Sequence, residues 1–286
     1  FESAPRTLRP KGLTGNTTLE LIQMLELENK ILPIKSDRVT GKFKLIYSGS
    51  KITKVTPEID SKLKLLFESE ANDNESIHDF AVKKFDEEFA EMVIGPMVRG
   101  ITAGDAKTIS AKFLIKGKES KQFEPVALYE KARRDRWNFY TFQGGLEVLS
   151  KTIVEKLSQK EDKVALHLNS SCQKIEFKGD RVDVTINGKV HSTSHLISSL
   201  PSFCLAPLVQ DQHPELAKEL AGIISLDVAT INLHFPSEDI LKEKGFGVFA
   251  TSKENASLIG IMFDSNCVEM KGVTITVMLS ETFLQD

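Results

Sequence analysis

Near residue 160 the apolar spacing of this chain changes from helical to alternating, a change that neither an all-α nor an all-β fold accommodates. Before it, Leu146, Leu149, Ile153 and Leu157 follow Gly144-Gly145 at the steps of one apolar helix face. After it, Lys163–Leu168, Gln173–Lys178, Arg181–Ile186 and Lys189–Ser192 read as short strands. Gly179-Asp180 and Asn187-Gly188 supply hairpin turns, so a small antiparallel meander is expected. His195–Leu200 should end this region as an apolar strand stopped by Pro201.

The flanking regions carry both periods. Residues 1–15 hold prolines and glycines and are expected to be a loop. Thr17 and Glu20 have capping-box spacing ahead of a helix to about Asn29. Lys42–Tyr47 and Lys51–Val55 flank Ser48-Gly49 as a hairpin. A helix should start near Ser76, carry Ile77, Phe80, Ala81, Phe85, Phe89, Met92 and Val93 on one face, and break at the glycines of RGITAGD (99–105). The charge-rich stretch 116–136 reads as a solvated helix face. Ser225–Phe235, Gly245–Ala250, Ser257–Asp264 and Val273–Leu279 are rich in β-branched and aromatic residues and predict a second antiparallel sheet. The fold class expected is α+β or mixed α/β.

Composition narrows the function. Hydrophobic residues make up 41% and charged residues 27% of the 286, enough to fill a core in one large or two ordinary domains. With 37 basic and 40 acidic residues the net charge is −3, so no nucleic-acid partner is expected. The best apolar run, Ala221–Phe235, is interrupted by Asp227, Asn232 and His234 and does not read as a membrane span. Cys172, Cys204 and Cys267 are scattered and are expected to be separate buried thiols. None of the six histidines sits in a metal-ligand spacing, and no G-x-S-x-G elbow or P-loop occurs. Asp86-Glu87-Glu88 is expected to face solvent. Gly245-Phe246-Gly247 lacks the third glycine and the strand-to-helix setting of a dinucleotide loop. No metal, catalytic nucleophile or general acid–base pair is expected.

A set of local patterns points elsewhere. PRTLRP (5–10), RGITAGD (99–105), RWNFYTFQGGLEVL (136–149), LISSLPS (196–202), GFGVFA (245–250), IGIMFDS (259–265) and VTITVML (273–279) together resemble the oxygen-dependent protoporphyrinogen oxidases of the flavin amine oxidase superfamily. They occur in that family's order along the whole chain. The resemblance implies a flavin amine oxidase-like fold, in which a substrate domain of antiparallel sheet and helices joins a partial FAD-binding domain. It implies FAD as cofactor and a flavin that takes hydride from protoporphyrinogen IX and passes electrons to dioxygen, yielding protoporphyrin IX. Such chemistry needs aligned rings and a dry pocket more than a titrating side chain.

The resemblance divides the chain into 1–30 (FAD-domain loop and helix), 31–135 (substrate-domain hairpin and a reduced helical membrane-binding region), 136–200 (FAD-domain helix and meander) and 201–286 (substrate-domain sheet). It places Ala4, Pro5, Arg6 and Thr7 beside the flavin and Cys172 at a backbone contact to the adenine. For substrate it implies Arg6 as a propionate anchor, Gly100 and Ala103 as a small-residue wall, and Phe246, Gly247, Phe249, Met262 and Met278 as cavity lining; it names no catalytic residue. It also implies peripheral contact with the mitochondrial inner membrane and allows a homodimer. The family's GxGxxG loop and closing flavin segment have no counterpart in these residues, so an incomplete, inactive FAD site is expected. A flavin-free porphyrin- or haem-binding module and another FAD-dependent amine oxidase or desaturase are the alternatives.

Overall fold

The structure, a computed structural model, describes residues 6–35, 44–48, 51–72, 74–115, 123–160, 162–241, 245–253, 257–268 and 270–284. Helix α1 (Gly12–Met24) starts ahead of the expected capping box: its N-cap Lys11 makes no side-chain cap, and Thr17 and Glu20 lie inside the helix. Gly15 permits this, because a β-carbon there would stand 2.8 Å from the Pro10 carbonyl carbon. The helix ends at Leu25, followed by left-handed Glu26 (φ 59°), so it stops short of Asn29.

Strand β1 (Ile31–Lys35) follows, then the expected hairpin of β2 (Lys44–Ser48) and β3 (Lys51–Lys54), paired from Leu45–Lys54 to Ser48–Lys51. Helix α2 (Pro57–Phe67) is capped by Thr56, whose hydroxyl accepts from the Ile59 N–H. Ser76 caps α3 (Ile77–Lys84) as its spacing predicts, accepting from the Asp79 N–H at 3.0 Å. The helix does not run on to Val93. Phe85 leaves helical dihedrals, Asp86 caps a new turn at Glu87–Phe89, and Ala90–Ile94 form a π-turn into α4 (Gly95–Thr102). Gly100 therefore lies inside α4, which ends at left-handed Ala103 (φ 58°). With α5 (Ala111–Leu114), these helices bury Leu66, Ile77, Ile94 and Val98 in one core.

Helix α6 (Ala127–Arg134) exposes Lys131, Arg133 and Arg134, as a solvated face should; residues 116–122 lie outside the described residues. Strand β4 (Trp137–Phe142) pairs antiparallel with β1, and Leu8 bridges Tyr140 from the other side. Sequence alternation misses this pair, because Pro33 sits in β1 and aromatics occupy both faces of β4. A second core joins Leu19 and Ile22 of α1 to Leu128 of α6 and to Tyr140. Helix α7 (Glu147–Ser158) forms where its period predicts.

The meander consists of β5 (Cys172–Lys178), β6 (Arg181–Ile186) and β7 (Lys189–Thr193), with Asn187 (φ 49°) and Gly188 (φ 77°) in the left-handed turn. Lys163–Leu168 and His195–Leu200 are not strands. Helices α8 (Ser202–Val209) and α9 (Pro214–Ala221) follow instead, and Gln212 between them bonds the Phe177 N–H (2.7 Å) and carbonyl (3.0 Å) of β5.

The closing strands are β8 (Val228–Phe235), β9 (Gly247–Ala250), β10 (Leu258–Met262) and β11 (Val273–Ser280). They are antiparallel as expected, but β9 also pairs in parallel with β2, giving a mixed sheet of order β3-β2-β9-β10-β11-β8. Contacts divide the chain into two compact units, Leu157–Leu226 and the combination of Phe1–Lys156 with Asp227–Asp286. The expected boundaries at 136 and 201 fall inside these units, because β4 pairs with β1 and α8 packs on β5.

Among the described residues no helix is long and apolar enough to cross a membrane. Cys267 is buried, but Cys172 is half-buried and Cys204 exposed, so only one of the three matches the expected buried thiol.

Glu91, on the π-turn, meets Lys107 Nζ at 2.9 Å and Lys253 Nζ at 3.0 Å. Hydrogen bonds from these two ammoniums hold its carboxyl down to about 2, against 4.5 ordinarily. A depressed folded value contributes stability above pH 4.5, and the contribution is lost as pH falls toward 2. The urea midpoint should therefore fall more steeply across that window in the native protein than in Glu91→Gln; equal slopes would show the contacts to be energetically idle.

Candidate active site

One face of the six-stranded sheet is polar. Alternation places Asn232 and His234 of β8, Thr274 and Thr276 of β11 and Met262 of β10 on it, and turns Ile231, Leu233 and Ile275 to the other face. Register sets Met262 opposite Thr276 and Thr276 opposite Asn232, so these side chains form a row across three strands.

Arg6 closes over that row. Its Nε lies 2.7 Å from Asp264 Oδ1, and its Nη2 donates to Thr276 Oγ1 at 2.8 Å and Asn232 Oδ1 at 3.1 Å. Its Nη1 reaches Met262 Sδ at 4.0 Å. The fully buried Thr276 hydroxyl stands 2.7 Å from Asp264 Oδ2 and 2.6 Å from Asn232 Oδ1; its one proton serves one acceptor at a time. The Arg6 and Asp264 side chains are 11% and 13% exposed, so solvent screens their attraction little.

Beside this network lies a cavity of about 550 Å³. Arg6, Thr7, Asn232 and His234 supply polar groups, Leu32, Met262, Val268 and Met270 supply apolar wall, and Gln143-Gly144-Gly145 close one side. The two glycines, at φ 92° and 85°, follow β4 in a conformation that favours glycine and bring bare backbone to the wall. His234 Nδ1 is 2.9 Å from Thr274 Oγ1, which fixes the ring. Burial, reinforced by Asp264, pushes the Cys267 thiol up to about 12, so it lines the cavity as a neutral group and not as a nucleophile. The arrangement can orient a ring system; it offers no activated nucleophile.

The expected site residues separate. Arg6, Thr7 and Met262 line the cavity. Ala4 and Pro5 lie outside the described residues. Arg6, expected to anchor a propionate, already holds Asp264. Gly100 does not present a bare wall: a β-carbon there would fall on the Phe249 ring, which packs into the helical core. Ala103 is the left-handed cap of α4. Phe246 stacks on Phe139 at 5.3 Å, and Arg9 lies 4.8 Å over the same Phe139 ring. Gly247 lets β9 approach the Ile261 carbonyl of β10, and Met278 reaches within 3.6 Å of a β-carbon position at Gly260. Cys172 lies on β5, its thiol 3.8 Å from the Lys174 carbonyl. Asp264, Asn232, His234 and Thr276 were missed. Their signal is the alternation of polar with apolar residues along TINLH (230–234) and VTITV (273–277), where Thr230, Asn232 and His234, then Thr274 and Thr276, fall on every second position.

The sequence profile described as flavin containing amine oxidoreductase matches residues 2–285. The chain belongs to this family. Its members are FAD-dependent oxidoreductases, and FAD is the family's cofactor. The chain is 26% identical over 325 residues to protoporphyrinogen oxidase of Bos taurus and 25% over 324 to that of Homo sapiens, each match taking in 100% of this chain and 68% of the relative. It is 29% identical over 327 residues to protoporphyrinogen oxidase of Dictyostelium discoideum, covering 93% of this chain and 61% of that one. A crystal structure from Exiguobacterium sp. 255-15, assigned as a protoporphyrinogen oxidase, superposes with a TM-score of 0.71 at 12% identity over 98% of this chain and 66% of the other. Cyclohexylamine oxidase from Brevibacterium oxydans IH-35A gives 0.66 at 12% identity over 98% and 64%. The fold is thus that of the flavin amine oxidases, and the chain spans about two thirds of the length of these relatives.

The cavity fits the ring end of a flavin. The side-chain-free backbone at Gly144-Gly145 leaves room for a flat ring, Thr7 and Gln143 can hydrogen-bond its edge, and Leu32 and Met262 can pack on its face. The sequence has no G-x-G-x-x-G loop to hold the pyrophosphate.

Proposed function

We infer that the protein containing this chain oxidises protoporphyrinogen IX to protoporphyrin IX, with dioxygen as acceptor and hydrogen peroxide as product, as a step of haem synthesis. The observation that carries this reading is the match to protoporphyrinogen oxidases along the whole chain. Bound FAD would accept hydride from the macrocycle. Thr7, Gln143 and the Gly144-Gly145 backbone would hold and orient the ring edge, and Leu32 and Met262 would exclude water from the reacting face. Met thioethers pack well on an aromatic macrocycle. The Arg6–Asp264 pair is a fixed dipole at the floor, and His234 is the polar group that can meet a propionate at the rim. Association with the mitochondrial inner membrane belongs to the same reading, supported by the family resemblance and by Leu65, Ile101 and Phe113, which the helical core leaves exposed.

Peroxide release by the full-length protein tests it. Protoporphyrinogen IX should support turnover at a kcat/KM at least about 100-fold above primary amines, a difference of roughly 2.7 kcal/mol in transition-state binding. Faster turnover of an amine would assign the protein to another branch of the family.

A further inference from the structure

The break between α3 and the π-turn brings together residues the sequence keeps apart. His78, in the first turn of α3, is 8% exposed in its side chain, and its Nε2 is buried without a hydrogen bond. That nitrogen points at two carboxylates: Glu91 Oε1 at 3.4 Å and Glu87 Oε1 at 3.7 Å. Glu87 and Glu91 are four residues apart across the Glu87–Phe89 turn and the π-turn and so share a face, while Asp86, the cap of that turn, redirects the chain toward His78. The three candidate ligand atoms all lie within 4.8 Å of one another. On the far side of the ring, Nδ1 stands 3.4 Å from Asp79 Oδ1. With the Nδ1 proton shared with Asp79, the Nε2 lone pair faces two negative oxygens, an arrangement that a cation between them would make favourable.

We propose that His78 Nε2, Glu87 Oε1 and Glu91 Oε1 bind a divalent cation of the zinc type, with Asp79 orienting the histidine. The spacing supports it. Two ligands about 2.0 to 2.1 Å from a tetrahedral zinc ion are about 3.4 Å apart, close to the His78–Glu91 and His78–Glu87 separations. An imidazole with two carboxylates suits zinc, cobalt or manganese better than magnesium, which prefers an all-oxygen octahedron. A π-turn supplies the local widening that such sites often use. Lys107 and Lys253 also meet Glu91, at 2.9 and 3.0 Å. The same lysines oppose the cation by charge: Lys107 Nζ sits 2.9 Å from the oxygen that would bind it. The bound ion would tie α3 to the π-turn, outside the cavity described above.

Zinc and cobalt binding to the purified chain, stripped with a chelator and titrated calorimetrically at neutral pH, tests the site. One equivalent of zinc should bind, and cobalt should develop the visible absorption of a nitrogen-ligated tetrahedral ion. Glu87→Gln, at a side chain 66% exposed and therefore safe for folding, should weaken zinc by at least the roughly 10- to 100-fold that loss of a supporting contact costs. His78→Gln should do the same and abolish the cobalt spectrum. Lys107→Met should tighten binding several-fold, an effect that a purely structural role for the cluster would not produce. Absence of stoichiometric zinc binding, equal affinity in Glu87→Gln, or binding of magnesium in preference to zinc would each overturn the proposal.

Discussion

Asp264→Ala should lower the unfolding free energy by about 3 kcal/mol, because it removes the carboxylate that meets Arg6 Nε at 2.7 Å in a nearly dry site. Arg6→Ala should cost less, since Asp264 keeps the Thr276 hydroxyl at 2.7 Å, and the double variant should be less destabilised than the sum of the two single changes. Urea unfolding of the four proteins measures the coupling. Additive losses would mean that the pair contributes nothing jointly. The same set decides the part Arg6 plays toward substrate. If Arg6 is a floor residue, Asp264→Asn weakens folding and leaves substrate affinity almost unchanged. If it is a propionate anchor, Asp264→Asn removes the competing carboxylate and lowers KM.

Gly247→Ala should have the next largest effect. A β-carbon at this position would run into the Ile261 carbonyl oxygen across the β9–β10 pairing, and the obstacle is backbone that no rotamer change removes. The strands must separate locally, which overpacking of this kind makes worth about 1 to 3 kcal/mol. Because Gly247 pairs with Met262 of the cavity wall, the change should also reduce flavin or substrate affinity in the full-length protein. Thermal unfolding and ligand titration together check it; an unaltered midpoint would mean that β9 and β10 have slack. Gly100→Ala meets only the Phe249 ring, which can turn, and should cost less.

The elements that were legible in the sequence are those whose local signals agree with their tertiary setting. Ser76 with Asp79, the Asn187-Gly188 turn and the alternation of Val273–Ser280 each point to the structure formed. The capping box at Thr17 is local chemistry overruled by Gly15, which lets α1 start earlier against Pro10. The β1–β4 pair was invisible because its evidence is a partner about a hundred residues away rather than a period. The parallel contact of β2 with β9 was missed for the same reason. Arg6, Thr7 and Met262, named by resemblance, line the cavity. Asp264 was read as part of a strand end, although its value lies in meeting Arg6 and Thr276 in space. His78 and Glu91 are separated by a break in the helix that no helical period predicts.

If the protein oxidises protoporphyrinogen as proposed, the cavity on the polar face of the six-stranded sheet places a porphyrinogen beside a flavin. Anaerobic mixing of the full-length protein with protoporphyrinogen IX tests it most directly. Because forming the porphyrin removes six electrons and one flavin takes two, the predicted result is bleaching of the visible flavin band on anaerobic mixing, followed, when oxygen is admitted, by flavin recovery, growth of the porphyrin Soret band and release of three peroxides for each porphyrin formed. A flavin that stays oxidised in the presence of protoporphyrinogen while a primary amine reduces it, or a Soret band from bound porphyrin in a protein without flavin, would contradict the account.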